Sequence, residues 1–240
     1  MKDCEIYDVV VEKGHILAKM NGNRVLIDTG SPFSGSSISL NIVSNQEEIS
    51  QLTSVLIKEK MEEVVRETVR LSQVDFDDLL GMDIIKKTNF YLNLKEKKAI
   101  FSLKRITKDK IFIPLSITAG VPKIEASLDK RKAYMIIDTG AFISYFEPKS
   151  VNGKSPTRKQ QDFYPMLDIG KFETDVYEME IDLGGEVFMI EGGILPLKLR
   201  EALKILADTS ALLGNSIFQK YAAEFCFLEE SPFLNLIPLV

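Results

Sequence analysis

Two copies of one short acidic motif have the clearest capacity for chemistry in this chain. Residues 28–30 and residues 138–140 both spell Asp-Thr-Gly. One copy alone is typical of a plain turn, because glycine lets the backbone bend sharply and aspartate accepts local backbone hydrogen bonds. A pair is different, since two carboxylates brought together can divide the work of an acid and a base.

The surroundings of the two motifs recur as well. Each motif is preceded by an aliphatic run and followed, after a variable stretch, by Leu-Leu-Gly at residues 79–81 and 212–214. A short helical segment and an apolar strand come next in both copies. A plain turn has no reason to recur with its context, so the repeat predicts a two-carboxylate site built by two related halves. We place these halves at residues 1–107 and 108–240, each an ordinary domain size.

Packing of the halves about a two-fold axis would bring Asp28 and Asp138 face to face. Two carboxylates at close range cannot both ionise cheaply, so the pair holds one proton between them. The ionised partner can take a proton from a bridging water, while the protonated partner donates to the carbonyl of a peptide bond. This chemistry predicts peptide hydrolysis with no metal ion and no organic cofactor.

The other motif residues are expected to hold the pair in place. The hydroxyls of Thr29 and Thr139 can bond across to the backbone of the opposite half. The backbone amides of Gly30 and Gly140 can donate to the carboxylates. Such support matters, because a site of this kind loses function with small displacements.

The residue that follows each glycine differs between the halves. Ser31 carries a hydroxyl that could donate to its own carboxylate and favour the ionised form, whereas Ala141 cannot. We therefore expect Asp28 to be the more acidic member of the pair and Asp138 to hold the proton. On this hypothesis, Ser31→Ala raises the lower limb of the pH–rate profile.

Composition and charge describe an ordinary globular chain. Of the 240 residues, 45% are hydrophobic and 27% are charged, and the formal net charge is -5. This balance argues against the clustered basic surface of a nucleic-acid-binding protein. No apolar run approaches the length of a membrane span, and residues 1–5 lack the pattern of a signal peptide. We expect a cytoplasmic protein with neither nucleic-acid nor membrane partners.

Histidine and cysteine add little to this picture. The single His15 has no cluster of metal ligands around it in the sequence and no nucleophile to pair with. Cys4 and Cys226 do not make a disulfide framework, and Cys226 lies in an apolar run that is typical of a buried thiol. The sequence therefore predicts no metal site.

Hydrophobic periodicity predicts a mostly β fold with short helices. A Gly-Gly turn predicts a hairpin of strands 173–182 and 187–190. Residues 197–207 have the spacing of a helix, and residues 84–87 suit one or two helical turns. The other expected strands lie at residues 8–17, 24–27, 111–117, 123–128 and 134–137.

Residues 51–71 suit either a helix or two strands. The content of Glu and Lys favours a helix, whereas the β-branched residues favour strands. We favour a hairpin of strands 54–57 and 64–71, because the second half has one at the matching place.

With these motifs, the chain resembles the aspartic peptidases of the pepsin and retropepsin type. Residues 77–85 and 212–218 look especially like the Leu-Leu-Gly elements of retropepsin-like members, and the resemblance spans nearly the whole chain. It implies a bilobal acid-protease fold of two β-barrel-like lobes, with an extended peptide or protein substrate between them. The length resembles two retropepsin-sized subunits fused into one chain, so a monomer would suffice for the site.

The resemblance assigns roles position by position. Asp28 and Asp138 would be the catalytic pair of an aspartic endopeptidase. The supports of the active-site loops would be Thr29, Gly30, Ser31, Thr139, Gly140 and Ala141. The elements that cross beneath these loops and brace them would be Leu79, Leu80, Gly81, Leu212, Leu213 and Gly214.

Members of this family cover the cleft with flap hairpins, and here the chain departs from the pattern. No Tyr lies between the first Asp-Thr-Gly and the first Leu-Leu-Gly, and residues 40–51 are polar without glycine. A weak or missing first flap is expected. Residues 163–170 of the second half are aromatic and apolar, so Phe163 or Tyr164 would touch substrate if this segment covers the cleft. A loop tucked against its own lobe is the alternative.

Two other functions stay open at this point. A non-catalytic peptide-binding or scaffolding protein could keep the fold, although such a protein has no need of two facing acids. A phosphoryl-transfer enzyme could use Asp28 as an acceptor, but the sequence has no glycine-rich phosphate loop with a following Lys and no second acidic motif for Mg²⁺.

Overall fold

The computed structural model describes residues 3–35, 38–43, 51–108 and 110–239, and for residues 51–55 the backbone alone. In the first half, helix α1 spans Gln51–Ser72 and the short helix α2 spans Met82–Ile85. The strands of this half are β1 Cys4–Glu12, β2 His15–Met20, β3 Asn23–Ile27, β4 Asp78–Leu80, β5 Asn89–Asn93 and β6 Lys98–Ser102.

The second half is richer in strands. Its α-helix, α3, spans Leu197–Ala207, and 3₁₀ helices span Pro148–Val151 and Asn215–Gln219. The strands of this half are β7 Ile111–Thr118, β8 Val121–Leu128, β9 Arg131–Asp138, β10 Ser144–Tyr145, β11 Arg158–Tyr164, β12 Gly170–Leu183, β13 Glu186–Gly193, β14 Leu212–Gly214, β15 Tyr221–Cys226 and β16 Phe233–Pro238.

A shared antiparallel layer joins the two halves. Its strand order is β1-β6-β5-β15-β16-β7, with three strands from each half. At the centre, β5 pairs with β15, and the pair Tyr91–Glu224 is flanked by Phe90–Phe225 and by Leu92–Ala223. Equivalent strands thus meet about a pseudo-two-fold axis, which is the geometry that can bring two repeated loops together. The mostly β, two-lobed prediction is confirmed.

The chain between the halves is anchored by a buried acid of the shared layer. Glu224 is fully buried, and its carboxylate accepts hydrogen bonds from the amides of Ile106, at 2.6 Å, and Thr107, at 2.9 Å. A buried carboxylate needs such donors to offset its lost hydration. The connection is therefore held against the interface, while the division at residues 107 and 108 stays a prediction.

Alternation along the strands of each motif sorts their side chains onto two faces. Val25 and Ile27 of β3 face the main core, whereas Leu26 between them faces a smaller cluster beneath α1. In β9, Ile137 faces the main core and Ile136 faces the smaller cluster that contains residues of α3. Because side chains alternate across a strand, the same run of aliphatics builds both the lobe interior and the apolar floor of a cleft.

The predicted hairpin over residues 54–57 and 64–71 is wrong, because α1 runs through both segments as 22 residues of helix. Met61, Val64, Thr68 and Leu71 are all buried on one face. Their spacing of three and four residues is the helical period, and burial of this stripe outweighs the strand preference of the β-branched residues.

Among the other predicted elements, one strand is divided in the structure. The expected strand over residues 8–17 is divided by a tight turn at Lys13 and Gly14, whose φ angles are 47° and 84°, into β1 and β2. The hairpin around Gly184 and Gly185 and the helix over 197–207 are present as β12, β13 and α3. Of residues 40–51, residues 44–50 lie outside the described residues. No helix in the described part of the chain is long and apolar enough to cross a membrane.

Candidate active site

Each Asp-Thr-Gly lies at the end of a strand that a Leu-Leu-Gly strand braces from the side. β3 pairs in parallel with β4, so that Ile27 is opposite Leu80. β9 pairs in the same way with β14, so that Ile137 is opposite Leu213. The amide of Asp28 donates to the carbonyl of Leu80 at 3.0 Å. The element following each motif is thus bonded along the strand that delivers the aspartate.

The loop beyond each aspartate is tied to the chain that follows Leu-Leu-Gly. The amide of Met82 donates to the carbonyl of Ser31 at 2.9 Å, and the amide of Asn215 donates to the carbonyl of Ala141 at 2.8 Å. These matched bonds hold both loops from beneath. The structure therefore brings the predicted bracing elements, residues 79–81 and 212–214, against the predicted loops.

The two aspartates meet across the interface between the halves. Their carboxyl groups share a hydrogen bond. Each also faces the glycine of the opposite motif: a Cβ built on Gly30 would lie 2.3 Å from Cγ of Asp138, and one built on Gly140 would lie 2.7 Å from Cγ of Asp28. Only glycine permits this approach, because any side chain there would overlap the acid.

Matched backbone donors orient the two carboxylates. Oδ1 of Asp28 accepts from the amides of Gly30, at 2.8 Å, and Ser31, at 3.0 Å. Oδ1 of Asp138 accepts from the amides of Gly140, at 2.8 Å, and Ala141, at 3.1 Å. With one oxygen of each acid held by two amides, the orientation of each carboxyl is fixed while its second oxygen has no part in these bonds.

The threonines lock the loops together in a reciprocal set of four hydrogen bonds. The amide of Thr29 donates to Oγ1 of Thr139 at 2.9 Å, and the amide of Thr139 donates to Oγ1 of Thr29 at 3.0 Å. The Thr29 hydroxyl donates to the carbonyl of Ile137, and the Thr139 hydroxyl to that of Ile27, both at 2.8 Å. Both threonines are fully buried. The described geometry agrees with the expected cross-bonding, and the catalytic roles of the loops stay predictions.

Burial and mutual repulsion change the acidity of the pair. Burial, followed by the charge of Asp138 and the hydrogen bond with it, raises the pKa of Asp28 well above its usual range. Burial also raises the pKa of Asp138, but the hydrogen bond with Asp28 and the amides of its own loop oppose that rise. The pair therefore keeps one proton at a pH where two free carboxyls would have lost theirs.

The expected role of Ser31 is wrong. Its hydroxyl donates to the carbonyl of Phe33 at 2.7 Å and not to the carboxylate of Asp28. A local backbone acceptor two residues away competes successfully for a serine hydroxyl. Ser31 thus supplies its amide to the acid, as Ala141 does in the other half, and gives no reason for Asp28 to be the more acidic member.

Ser31→Ala should consequently leave the pH dependence of peptide cleavage unchanged, because alanine keeps the amide that bonds Asp28 and removes a hydroxyl that does not. The measurement is the pH profile of kcat/KM for the variant beside wild type. A shift of the acid limb to higher pH would contradict this and show that the Ser31 hydroxyl does bond the carboxylate of Asp28.

The pair lies on the floor of a cleft of about 670 Å³ between the halves. One wall carries Leu26 and Leu79 with Val64 and Leu71 of α1. The opposite wall is built from Val121, Ile136, Leu199 and Leu212. Since α1 and α3 each precede a Leu-Leu-Gly strand and cover equivalent faces, the two apolar walls are related by the pseudo-two-fold axis.

A hairpin of the second half crosses this cleft. β11 pairs with β12, and their connection carries Met166, which packs on the first-half cluster that includes Leu26 and Val64. Phe163 and Tyr164 line the cleft. Burial, followed by the charges of Asp138 and Asp28, raises the pKa of Tyr164 to about 12. Contact of Phe163 or Tyr164 with substrate stays a prediction.

Sequence reasoning missed a pair of buried serines that support the site. Oγ of Ser34 accepts the amide of Gly81 at 2.8 Å, and Oγ of Ser144 accepts that of Gly214 at 3.2 Å. Each serine comes six residues after a motif aspartate. That shared spacing was the signal in the sequence, and it extends the repeat beyond Asp-Thr-Gly.

A third acid, Asp162, lies in the same cleft. The hydroxyl of Tyr145 on β10 donates to the carboxyl of Asp162 on β11, and burial raises the pKa of Asp162. This contact ties the hairpin to its own half. In the described part of the chain, no group of three or more His, Cys, Asp or Glu side chains is arranged to hold a metal ion.

Comparison with known proteins finds solved structures that are similar to parts of the chain. No family model and no curated protein matches it. The solution structure of simian foamy virus (mac) protease is 20% identical, with a TM-score of 0.30, and covers 39% of this chain and 88% of its own. A foamy viral protease-reverse transcriptase in complex with an RNA/DNA hybrid is 16% identical, with a TM-score of 0.30, over 39% of this chain and 11% of its own.

A retropepsin-like aspartic protease from Rickettsia conorii is 17% identical, with a TM-score of 0.36, and covers 55% of this chain and 97% of its own. These solved proteins are similar to about half of the chain or less.

Proposed function

We propose that this chain is an aspartic endopeptidase in which Asp28 and Asp138 activate one water for attack on a peptide bond. The observation that carries the proposal is the meeting of the two carboxyls, hydrogen-bonded to each other across the threonine lock at the floor of a cleft. Two buried carboxyls placed side by side cost stability, because they repel each other. Catalysis is a use that explains why the chain keeps them there.

The proton balance of the reaction follows from the raised pKa values of the pair. A water between the acids loses a proton to the ionised carboxylate, while the protonated carboxyl of its partner donates to the carbonyl oxygen of the peptide bond. The hydroxide adds to the carbonyl carbon and gives a tetrahedral gem-diol. The carboxyl that took the proton from water then donates it to the amide nitrogen, while its partner takes a proton from a hydroxyl of the gem-diol. The C–N bond breaks, which yields a carboxylic acid and an amine with no covalent enzyme intermediate and restores the two carboxyls.

The cleft suits an extended peptide with apolar side chains. β11 stands at the end of the strand order in the described residues, so one edge of it is not paired within the sheet. An extended peptide can bond to such an edge as an added strand. The two aliphatic walls offer places for side chains on either side of the scissile bond, which favours cleavage between apolar residues.

We further propose that the chain is a fusion of two retropepsin-like lobes divided at residues 107 and 108. In support, strand pairing, loop bracing, amide donors and buried serine recur in each half. Since one chain supplies both aspartates, a monomer is sufficient for the site. The asymmetry lies above the cleft, where the described hairpin comes from the second half alone.

A peptide library tests the proposed function. The full chain is incubated with peptides across acidic to neutral pH, with and without pepstatin, and the products are identified by mass spectrometry. We expect cleavage at defined bonds between apolar residues, with loss of cleavage in pepstatin. Tight binding of library members that are never cut would favour the peptide-binding alternative instead.

A further inference from the structure

His15 lies on the wall of the cleft and has no part in the reaction proposed above. It opens β2 directly after the turn at Gly14, is 7% exposed, and lines the cleft together with Asp28 and Asp138. A polar side chain this deeply buried costs free energy unless its polar atoms have partners. The burial of the imidazole therefore needs a physical reason.

The other half shows that the fold does not require an imidazole here. The turns at Gly14 and Gly120 have the same φ of 84°. A Cβ on Gly14 would lie 2.6 Å from Phe142, and a Cβ on Gly120 would lie 3.0 Å from Pro32. Each of these two neighbours comes four positions after the aspartate of the opposite half. The residue after Gly120 is Val121, which is buried and lines the cleft on its own side. Packing at the equivalent position is thus satisfied by an aliphatic side chain.

Hydrogen bonding determines which ring nitrogen carries the proton. His15 bonds to the backbone of Gly140. Because the Gly140 amide already donates to Asp138, the carbonyl oxygen is the group that accepts from the ring. Nδ1 has no partner among the described residues, so we assign the hydrogen to Nε2, the ring nitrogen that remains to bond Gly140. Burial lowers the pKa of His15, and the neutral ring keeps a lone pair on Nδ1.

A residue of the hairpin packs beside the imidazole. The ring of Phe163, on β11, lies 5.7 Å from the ring of His15 between centroids. A peptide that enters beneath the hairpin must pass between Phe163 and the floor of the cleft, and so it meets the imidazole.

We propose that Nδ1 of His15 accepts a hydrogen bond from an N–H group of the bound peptide and so positions the substrate beside Asp28 and Asp138. The inference rests on the proposed peptidase function. The complementary group is a main-chain amide, which an extended peptide carries at every residue except proline. One substrate position is therefore expected to reject proline and N-methylated residues, because either would leave the buried Nδ1 unpaired.

Nitrogen NMR tests the contact directly, since His15 is the single histidine of the chain. The probe is the best-cleaved library peptide with its scissile amide replaced by a methylene-amine, which binds without being cut. In histidine-¹⁵N-labelled protein we expect the free state to show the Nε2–H tautomer. Addition of the probe should shift the Nδ1 resonance in the direction of an accepted hydrogen bond.

An N-methyl series of the same probe tests specificity. Methylation at the critical amide should weaken binding to wild type by about tenfold, and His15→Phe should lose this sensitivity at that one position. His15→Asn, whose amide lies near the place of Nδ1, should regain part of it. Val121→Ala is the matched control and should weaken all members of the series by a similar factor.

The outcomes separate the two proposals. If the probe binds and the peptide is cleaved, but the Nδ1 resonance does not move and the N-methyl profile of His15→Phe equals that of wild type, the role of His15 is wrong and the peptidase stands. If no library peptide binds or is cut, the proposed function fails and the inference fails with it.

Discussion

Replacement of either Asp28 or Asp138 by Asn should reduce peptide cleavage by roughly 10³-fold or more while leaving the fold intact, because the reaction needs one ionised and one protonated carboxyl. An amide can still fill the space and accept the loop amides, but it cannot exchange the proton. The measurement is kcat/KM for a peptide from the library. Circular dichroism of both variants provides the control, and Ser31→Ala, beside the same acid, should retain activity.

The same variants carry a second expectation about stability. The pKa of Asp28 is raised in the folded state, so between the unfolded and folded values the native chain binds more protons than the unfolded chain. Stability then falls as the pH rises through that window. Asp28→Asn removes this dependence and should raise Tm at neutral pH relative to wild type. Equal Tm values for the two proteins at every pH would mean that folding does not raise the pKa of Asp28.

The second large effect is expected at the threonine lock. Thr29→Val or Thr139→Val preserves shape but removes a hydroxyl that accepts one amide and donates to one carbonyl. Each variant leaves buried polar groups unpaired, at a cost of about 2–4 kcal/mol of unfolding free energy. Cleavage should fall as well, because the two loops would no longer be held at a fixed separation.

Two measurements check this, denaturant unfolding and kcat. They are made on four single variants: Thr29→Val, Thr139→Val, Thr29→Ser and Thr139→Ser. The serine variants keep the hydroxyl and should remain near wild type. The double valine variant should cost less than the sum of the singles, since all four hydrogen bonds belong to one network. Valine variants as stable as wild type would show that the lock does not join the halves.

The local structure around the repeated motif could be predicted from the sequence. Asp-Thr-Gly followed by Leu-Leu-Gly in the same order predicted facing acids, amides from Gly30 and Gly140, and threonines that bond across. These features depend on residue type and on a short stretch of backbone, which the repeat specifies twice. The helix at residues 197–207 was predicted for the same reason, because its apolar spacing is contained within the segment.

The errors arose where the partner of a side chain lies elsewhere in the chain or where two local rules conflict. Residues 51–71 contain both β-branched residues and a helical stripe, and the burial of Met61 and Val64 against the first-half cluster decided in favour of α1. Ser31 had two acceptors within reach, and the loop geometry selected Phe33. No local pattern distinguishes these outcomes before the surfaces meet.

By itself, the sequence determined that this chain has two related β-rich halves, each with an acidic loop and a bracing strand, because both the pattern and its repetition are written in consecutive residues. The tertiary structure alone decided that the two acids are buried together and share a proton, which hairpin crosses the cleft, and that His15 bonds to Gly140 beside the acids. Those properties arise from burial and from contacts between residues more than a hundred positions apart, which have no representation in a local pattern.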